Sequence, residues 1–204
     1  MKLYWSPRSP YARKVMAFAH ETGLADRIET VRTLVSMTAP NRDLMRINPL
    51  GKIPTLVTDD GMILFDSAVI CEYLDSLHAG DKLFPQAAEA RWQALRRHAL
   101  GNNLLDNLVP WRNERLRPQP QQSPETLAAF EAKVRSALAA LDSEAPLLSA
   151  AAVGIGHVAI GVALGYLDFR FPELAWRDGH GRLAAWYETF SQRPSIRDTQ
   201  PVDA

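Results

Sequence analysis

The sequence predicts a mixed α/β domain followed by an all-helical domain. Two observations carry this expectation. Over the first 78 residues, short strand-like runs alternate with helix-like runs. From about residue 87 the strand signals vanish, while apolar residues keep helical spacing.

Lys2 to Trp5 reads as the first strand. Ser9-Pro10 then opens a helix, with Ser at the N-cap and Pro at the first helical position, where a missing N–H costs nothing. That helix is expected to run to about Thr22 and stop at Gly23. Ile28 to Arg32 alternates as a second strand. Thr55 to Val57 and Met62 to Phe65 flank Asp59-Asp60-Gly61, which signals a hairpin. Asp66-Ser67 opens another helix, with Ile70, Leu74 and Leu77 on one face.

In the second half, Trp92, Leu95 and Ala99, then Leu105, Leu108 and Val109, keep helical spacing, and Pro110 is expected to kink or end that helix. The segment 118–122 is turn-rich. Ser123-Pro124 repeats the Ser-then-Pro helix start, and Leu127, Phe130, Val134, Leu138 and Leu141 form an apolar stripe of the kind that packs a core. Ala150 to Leu167 carries no charged residue over 18 positions. Four glycines, five alanines and His157 lie within it, so a buried core helix is expected rather than a membrane span.

Composition narrows the partners. The chain of 204 residues balances 23 basic against 23 acidic residues, which gives no general pull toward nucleic acid or an anionic membrane. Small molecules or a second copy of the chain are the expected partners. The opening residues meet Pro7 and Arg8 before any long apolar run, so they do not read as a secretory signal. A single cysteine, Cys71, excludes an intrachain disulfide framework and suits a reducing compartment, so the cytoplasm is the expected location. No cluster with metal-ligand spacing appears.

Three stretches carry chemistry. Residues 6–15, Ser6-Pro7-Arg8-Ser9-Pro10-Tyr11-Ala12-Arg13-Lys14-Val15, place a hydroxyl at the mouth of a helix just after a strand. Unsatisfied N–H groups there favour negative charge. A thiol held against Ser9 would have its anion, the nucleophilic form, stabilised. A thiol of pKa ~8.5 is only a few per cent ionised near neutral pH, and lowering it by about two units takes roughly 2.7 kcal/mol. One charge-assisted hydrogen bond plus the helix end can supply that. The other reading of Ser9 is a plain helix cap.

Residues 48–56, Asn48-Pro49-Leu50-Gly51-Lys52-Ile53-Pro54-Thr55-Leu56, put a Pro directly before a strand. A cis bond at Ile53-Pro54 would turn the Ile53 backbone outward to pair with an extended peptide, whereas a trans Pro would only mark a strand entry. Phe65-Asp66-Ser67 sets a carboxylate and a hydroxyl at a helix N-terminus. This suits an amino-acid zwitterion, with Ser67 meeting its carboxylate and Asp66 its ammonium; a cap is again the alternative.

In a β-α-β, variable, β-β-α order, these stretches resemble the glutathione transferase family. The resemblance spans nearly the whole chain and looks like the bacterial branch, down to Gly165-Tyr166-Leu167-Asp168-Phe169-Arg170 and Gln192-Arg193-Pro194-Ser195. It implies a thioredoxin-like, glutathione-binding α/β domain over 1–79, a linker over 80–86, an all-α helical bundle over 87–204, and a homodimer. It also implies that Ser9 activates the sulfur of glutathione, the co-substrate. Ile53, before a cis Pro54, would pair with the cysteinyl backbone, and Asp66 and Ser67 would hold the γ-glutamyl end. Lys52 is a further candidate contact for a carboxylate. The partner would be a small hydrophobic electrophile lying between the domains near Trp5, Arg8, Trp111, Arg112 and Tyr166, with no metal required.

Two positions depart from the family pattern. Asp66 stands where Glu is common and is one methylene shorter. Gly154 and His157 stand where a late helix usually starts with Ser or Thr followed by Asp. His157 is read as a core or cap residue. Disulfide exchange from the helix mouth is excluded, because Ser9-Pro10-Tyr11-Ala12 puts Ser and Ala where a redox pair would need cysteines. Two alternatives stay open: a glutathione-dependent reductase or peroxidase with no protein thiol, and a non-catalytic glutathione-binding module.

Overall fold

The structure, a computed structural model, describes residues 1–203. Two compact units form: Met1–Gln86 joined by the chain from Pro194 onward, and Ala87–Arg193. In the first unit, β1 (Lys2–Trp5), α1 (Pro10–Glu21) and β2 (Glu29–Arg32) are followed by a short α2 (Arg42–Met45), β3 (Thr55–Val57), β4 (Ile63–Leu64) and α3 (Ser67–Ser76). The four strands order as β2-β1-β3-β4, with β1 parallel to β2 and the other two pairings antiparallel.

Local chemistry accounts for the boundaries. Ser9 caps α1 with Pro10 at its first position, and Gly23 follows the helix at φ +68°. Asp66 caps α3. The hairpin between β3 and β4 turns at Gly61, whose φ of +86° suits glycine. Leu3, Val15, Phe18, Leu56, Ile70 and Leu74 are fully buried. After α3, Asp75 accepts from the backbone N–H groups of Leu83 (3.0 Å) and Phe84 (3.1 Å), which ties down the segment leading out of the unit. The expected helical domain extended to residue 204, but the chain from Pro194 clusters with the first unit. There α8 (Pro194–Arg197) lies against α1: Arg13 Nη2 donates to the Ile196 carbonyl at 3.1 Å, and the Ser195 hydroxyl donates to Glu21.

The second unit holds α4 (Ala88–Arg115), α5 (Pro124–Ala150), α6 (Ile155–Arg170) and α7 (Gly181–Ser191). Residues 155–167 of α6 are all buried, so this is a core helix apolar on every side. No helix among the described residues is long and apolar enough to cross a membrane. Gly101 and Gly156 let α4 and α6 approach closely: a Cβ on Gly101 would lie 2.7 Å from the Ala159 backbone, and one on Gly156 would lie 2.6 Å from Arg97 Cβ.

The face that α4 buries differs from the one its apolar spacing suggests. Trp92 is 70 % exposed and Ala99 is exposed, whereas His98, Gly101, Leu104, Leu105, Leu108 and Trp111 are buried. The period is helical, but its phase follows the close contact with α6. Nor does α4 end at Pro110. Leu108 and Trp111 are buried on either side of it, and that burial outweighs the roughly 3 kcal/mol an interior proline costs.

The start of α6 shows how His157 replaces the usual acidic cap. The backbone N–H of Gly154 donates to His157 Nδ1 at 3.1 Å. Nδ1 is therefore the acceptor, Nε2 carries the proton, and Nε2–H donates to the Leu148 carbonyl at 3.1 Å. Burial, chiefly, holds the imidazole below the usual histidine range and keeps it neutral.

Candidate functional site

Strand directions bring the three candidate stretches together. Trp5 pairs with Arg32 in the parallel ladder, Tyr4 with Thr55 in the antiparallel one, and Leu56 with Leu64 in the hairpin. The chain therefore leaves β1 toward Ser9, leaves β2 toward Thr33, enters β3 from Pro54 and leaves β4 toward Asp66, all at one end of the sheet. This is the end where α/β sheets commonly bind ligands.

Ser9 is half-buried at the mouth of α1. Its Oγ accepts from the Ala12 N–H at 3.2 Å, its carbonyl accepts from the Arg13 N–H at 2.9 Å, and its own N–H donates to the Ser6 carbonyl at 3.0 Å. Oγ itself is used only as an acceptor. Its O–H remains to donate, and the N–H bond it accepts polarises it in that direction.

The Ile53–Pro54 bond is cis, and Ile53 lies just outside the strand ladder. A residue without a role at the sequence level organises this turn. Asn48, 1 % exposed, donates through Nδ2 to the Lys52 carbonyl (3.1 Å) and to Thr55 Oγ1 (2.9 Å), and its Oδ1 accepts from the Leu50 N–H (3.0 Å). Thr55 Oγ1 also donates to the Lys52 carbonyl at 2.8 Å. The two side chains thus bracket Ile53 and Pro54. The available signal was a buried-type amide beside a Pro-Leu-Gly turn, where such a side chain pairs with local backbone. Lys52 is exposed and makes no ion pair among the described residues.

Asp66 is exposed, and its Oδ1 accepts from the Ala68 N–H at 2.9 Å, which leaves the second carboxylate oxygen uncommitted. The Phe65–Asp66 bond is also cis. Ser67 is buried at the first turn of α3, and its hydroxyl makes no hydrogen bond among the described residues. Ser9, Lys52, Ile53, Pro54, Asp66 and Ser67 thus all belong to one end of one sheet. Trp5 and Arg8 lie there as well. Trp111 and Tyr166 are buried within the helical unit, with the Trp111 ring 4.7 Å from that of Phe171, and Arg112 is half-buried.

Cys71 is fully buried in α3, and burial pushes its thiol up to about 12. It is a packing residue, not a nucleophile. No group of three or more His, Cys, Asp or Glu side chains able to hold a metal ion occurs among the described residues.

Known proteins share both units. Residues 8–77 match the glutathione S-transferase N-terminal domain and residues 124–189 its C-terminal domain. The uncharacterized GST-like protein YibF of Escherichia coli K12 is 30% identical over the full length of both chains. A glutathione transferase family member from Pseudomonas fluorescens Pf-5, solved with bound glutathione, superposes with a TM-score of 0.95 at 44% identity over 98% of each chain. A second structure of a Pf-5 family member, with bound S-(propanoic acid)-glutathione, gives 0.91 at 42% identity over 99% of this chain and 100% of that one. The chain belongs to the glutathione S-transferase family.

Proposed function

We propose that this chain is a glutathione transferase in which Ser9 O–H stabilises the glutathione thiolate for attack on an electrophilic carbon. The observation that carries the reading is the half-buried Ser9 hydroxyl: it accepts one backbone N–H and keeps its own hydrogen to donate. Ile53 would pair with the cysteinyl backbone of glutathione, beside Pro54. The Ser67 hydroxyl would receive the γ-glutamyl carboxylate, the free oxygen of Asp66 its ammonium, and Lys52 the far carboxylate. The thioether bound in the second Pseudomonas relative supports conjugation over reduction as the reaction class. Exposed Leu34, Val35 and Met37, on the loop that leaves β2 at the same sheet end, offer apolar surface for the electrophile's hydrophobic body.

A cytoplasmic, detoxifying role fits the lone buried cysteine and this chemistry. Homodimerisation belongs to the same reading. Met62, Ile63 and Val69 in one unit and Trp92 in the other are exposed apolar side chains that pairing would cover. Light scattering tests it, and a monomer mass at micromolar concentration overturns it.

The decisive experiment is the ultraviolet thiolate absorbance of bound glutathione against pH, for the wild type and for Ser9→Ala. A bound thiol pKa below that of free glutathione, rising toward it in the variant, is the expected result. Glutathione bound with an unshifted thiol assigns Ser9 to capping alone and moves the chain to the binding-module reading.

A further inference from the structure

The Lys52 carbonyl accepts two hydrogen bonds, both from the interior. Asn48 Nδ2 reaches it at 3.1 Å and Thr55 Oγ1 at 2.8 Å, and these residues are 1 % and 0 % exposed. The Leu50 N–H needs an acceptor, so Asn48 Oδ1 faces it at 3.0 Å and the amide nitrogen faces the other way. The two amide hydrogens go to the Lys52 carbonyl and to Thr55 Oγ1, the latter at 2.9 Å, which leaves the Thr55 hydrogen for the Lys52 carbonyl. Asn48 is also fixed through its main chain. Its N–H donates to the Leu44 carbonyl and its carbonyl accepts from the Gly51 N–H, both at 2.8 Å.

This clamp aims a group that it does not touch. In a planar trans peptide the C=O and the N–H point in opposite directions. The Lys52–Ile53 peptide is trans. With its carbonyl drawn toward the buried Asn48 and Thr55 side chains, the Ile53 N–H points away from them, and it meets no acceptor among the described residues.

We propose, resting on the reading above that glutathione pairs with Ile53, that Asn48 is a positioning residue for glutathione. Through the Lys52 carbonyl, and with Thr55 as its second arm, it holds the Ile53 N–H ready for the cysteinyl carbonyl of the tripeptide. A donor fixed before the ligand arrives loses no orientational freedom when it binds, so the clamp acts on affinity. It does not reach the sulfur. Stabilisation of the thiolate belongs to Ser9, on a different element, so the two contributions separate by measurement.

The test measures glutathione binding by calorimetry and the pKa of the bound thiol by ultraviolet absorbance. Asn48→Ala is expected to weaken binding about tenfold and to leave the bound thiol pKa where it is in the wild type. Thr55→Val, which keeps the shape of the buried side chain, is expected to weaken binding about threefold in the same way. His157→Ala, which costs stability elsewhere in the chain, is expected to bind like the wild type. Asn48→Asp supplies a second signature. Its carboxylate has no hydrogen for the Lys52 carbonyl, whereas its protonated form has one, and burial raises the pH at which that form appears. The ratio of its dissociation constant to that of the wild type is therefore expected to shrink from pH 8 to pH 5. Wild-type affinity in both Asn48→Ala and Thr55→Val, a thiol pKa that moves together with affinity, or an Asn48→Asp ratio equal at both pH values overturns the proposal. If the wild type binds glutathione and these variants bind it equally well, this inference alone falls. If the wild type does not bind glutathione, the reading beneath it falls.

Discussion

The starts of α1 and α6 are both capped from within a few residues, yet they use their capping atoms in opposite ways. At α6, His157 spends both ring nitrogens, one on the Gly154 N–H and one on the Leu148 carbonyl, and is almost fully buried. At α1, the Ser9 oxygen accepts a single N–H, its hydrogen stays uncommitted, and the residue is half-open. Capping alone does not make a site. Residual donor capacity at an accessible position is what a ligand can use, whereas a fully satisfied buried group has none to offer.

The largest expected effect separates the two roles of Ser9. If the bound thiol is lowered by about two units, Ser9→Ala at a pH near the lowered value cuts the thiolate fraction, and with it turnover, roughly 50-fold. Ser9→Gly is expected to lose the same activity while changing stability by only a few tenths of a kcal/mol, because glycine is a tolerated N-cap. Steady-state rates and denaturant midpoints read the two effects separately. Activity retained in Ser9→Gly would place Ser9 with His157 as a purely structural cap.

His157→Ala tests the other side. It strands a buried N–H and a buried carbonyl, and is expected to cost about 2 kcal/mol in urea unfolding. Glutathione binding should be unchanged once the protein is folded. Asp142→Ala is expected to follow at about 1–2 kcal/mol. This carboxylate, on α5, accepts from the Leu183 N–H at 2.9 Å and from Arg182 Nε at 3.0 Å, so it caps the start of α7 from another helix.

The smallest effect is in pH. His157 titrates below the usual histidine value when folded, so the unfolded chain binds its proton first. Above about pH 6.5 the residue is neutral in both states. As pH falls from there toward the folded value, stability is expected to fall, and His157→Gln should flatten that slope. Asp142 is held below the usual carboxylate range, first by the Leu183 N–H and then by Arg182. Its stabilisation is present above about pH 4 and is lost only as pH falls through the lower folded value, a separate window.

Sequence by itself determined the local features of this protein. The strand at Lys2–Trp5, the helices opening at Ser9-Pro10 and Ser123-Pro124, the Gly61 turn and the buried character of α6 all follow from caps, prolines, glycines and apolar density. Each acts within a few residues of itself. The candidate stretches around Ser9, Pro54 and Ser67 were legible for the same reason, each as a short motif with a cap as its rival.

Only the tertiary structure decided what depends on distant partners. Strand register gathers those stretches at one end of one sheet. Buried Asn48 closes the turn around Ile53 and Pro54, the two-glycine contact with α6 selects which face of α4 is buried and exposes Trp92, and α4 runs through Pro110 because its flanks are packed. The chain from Pro194 joins the first unit through Arg13 and Glu21. The free energy of these arrangements lies in contacts between residues far apart in the chain, and no local window of sequence contains both partners.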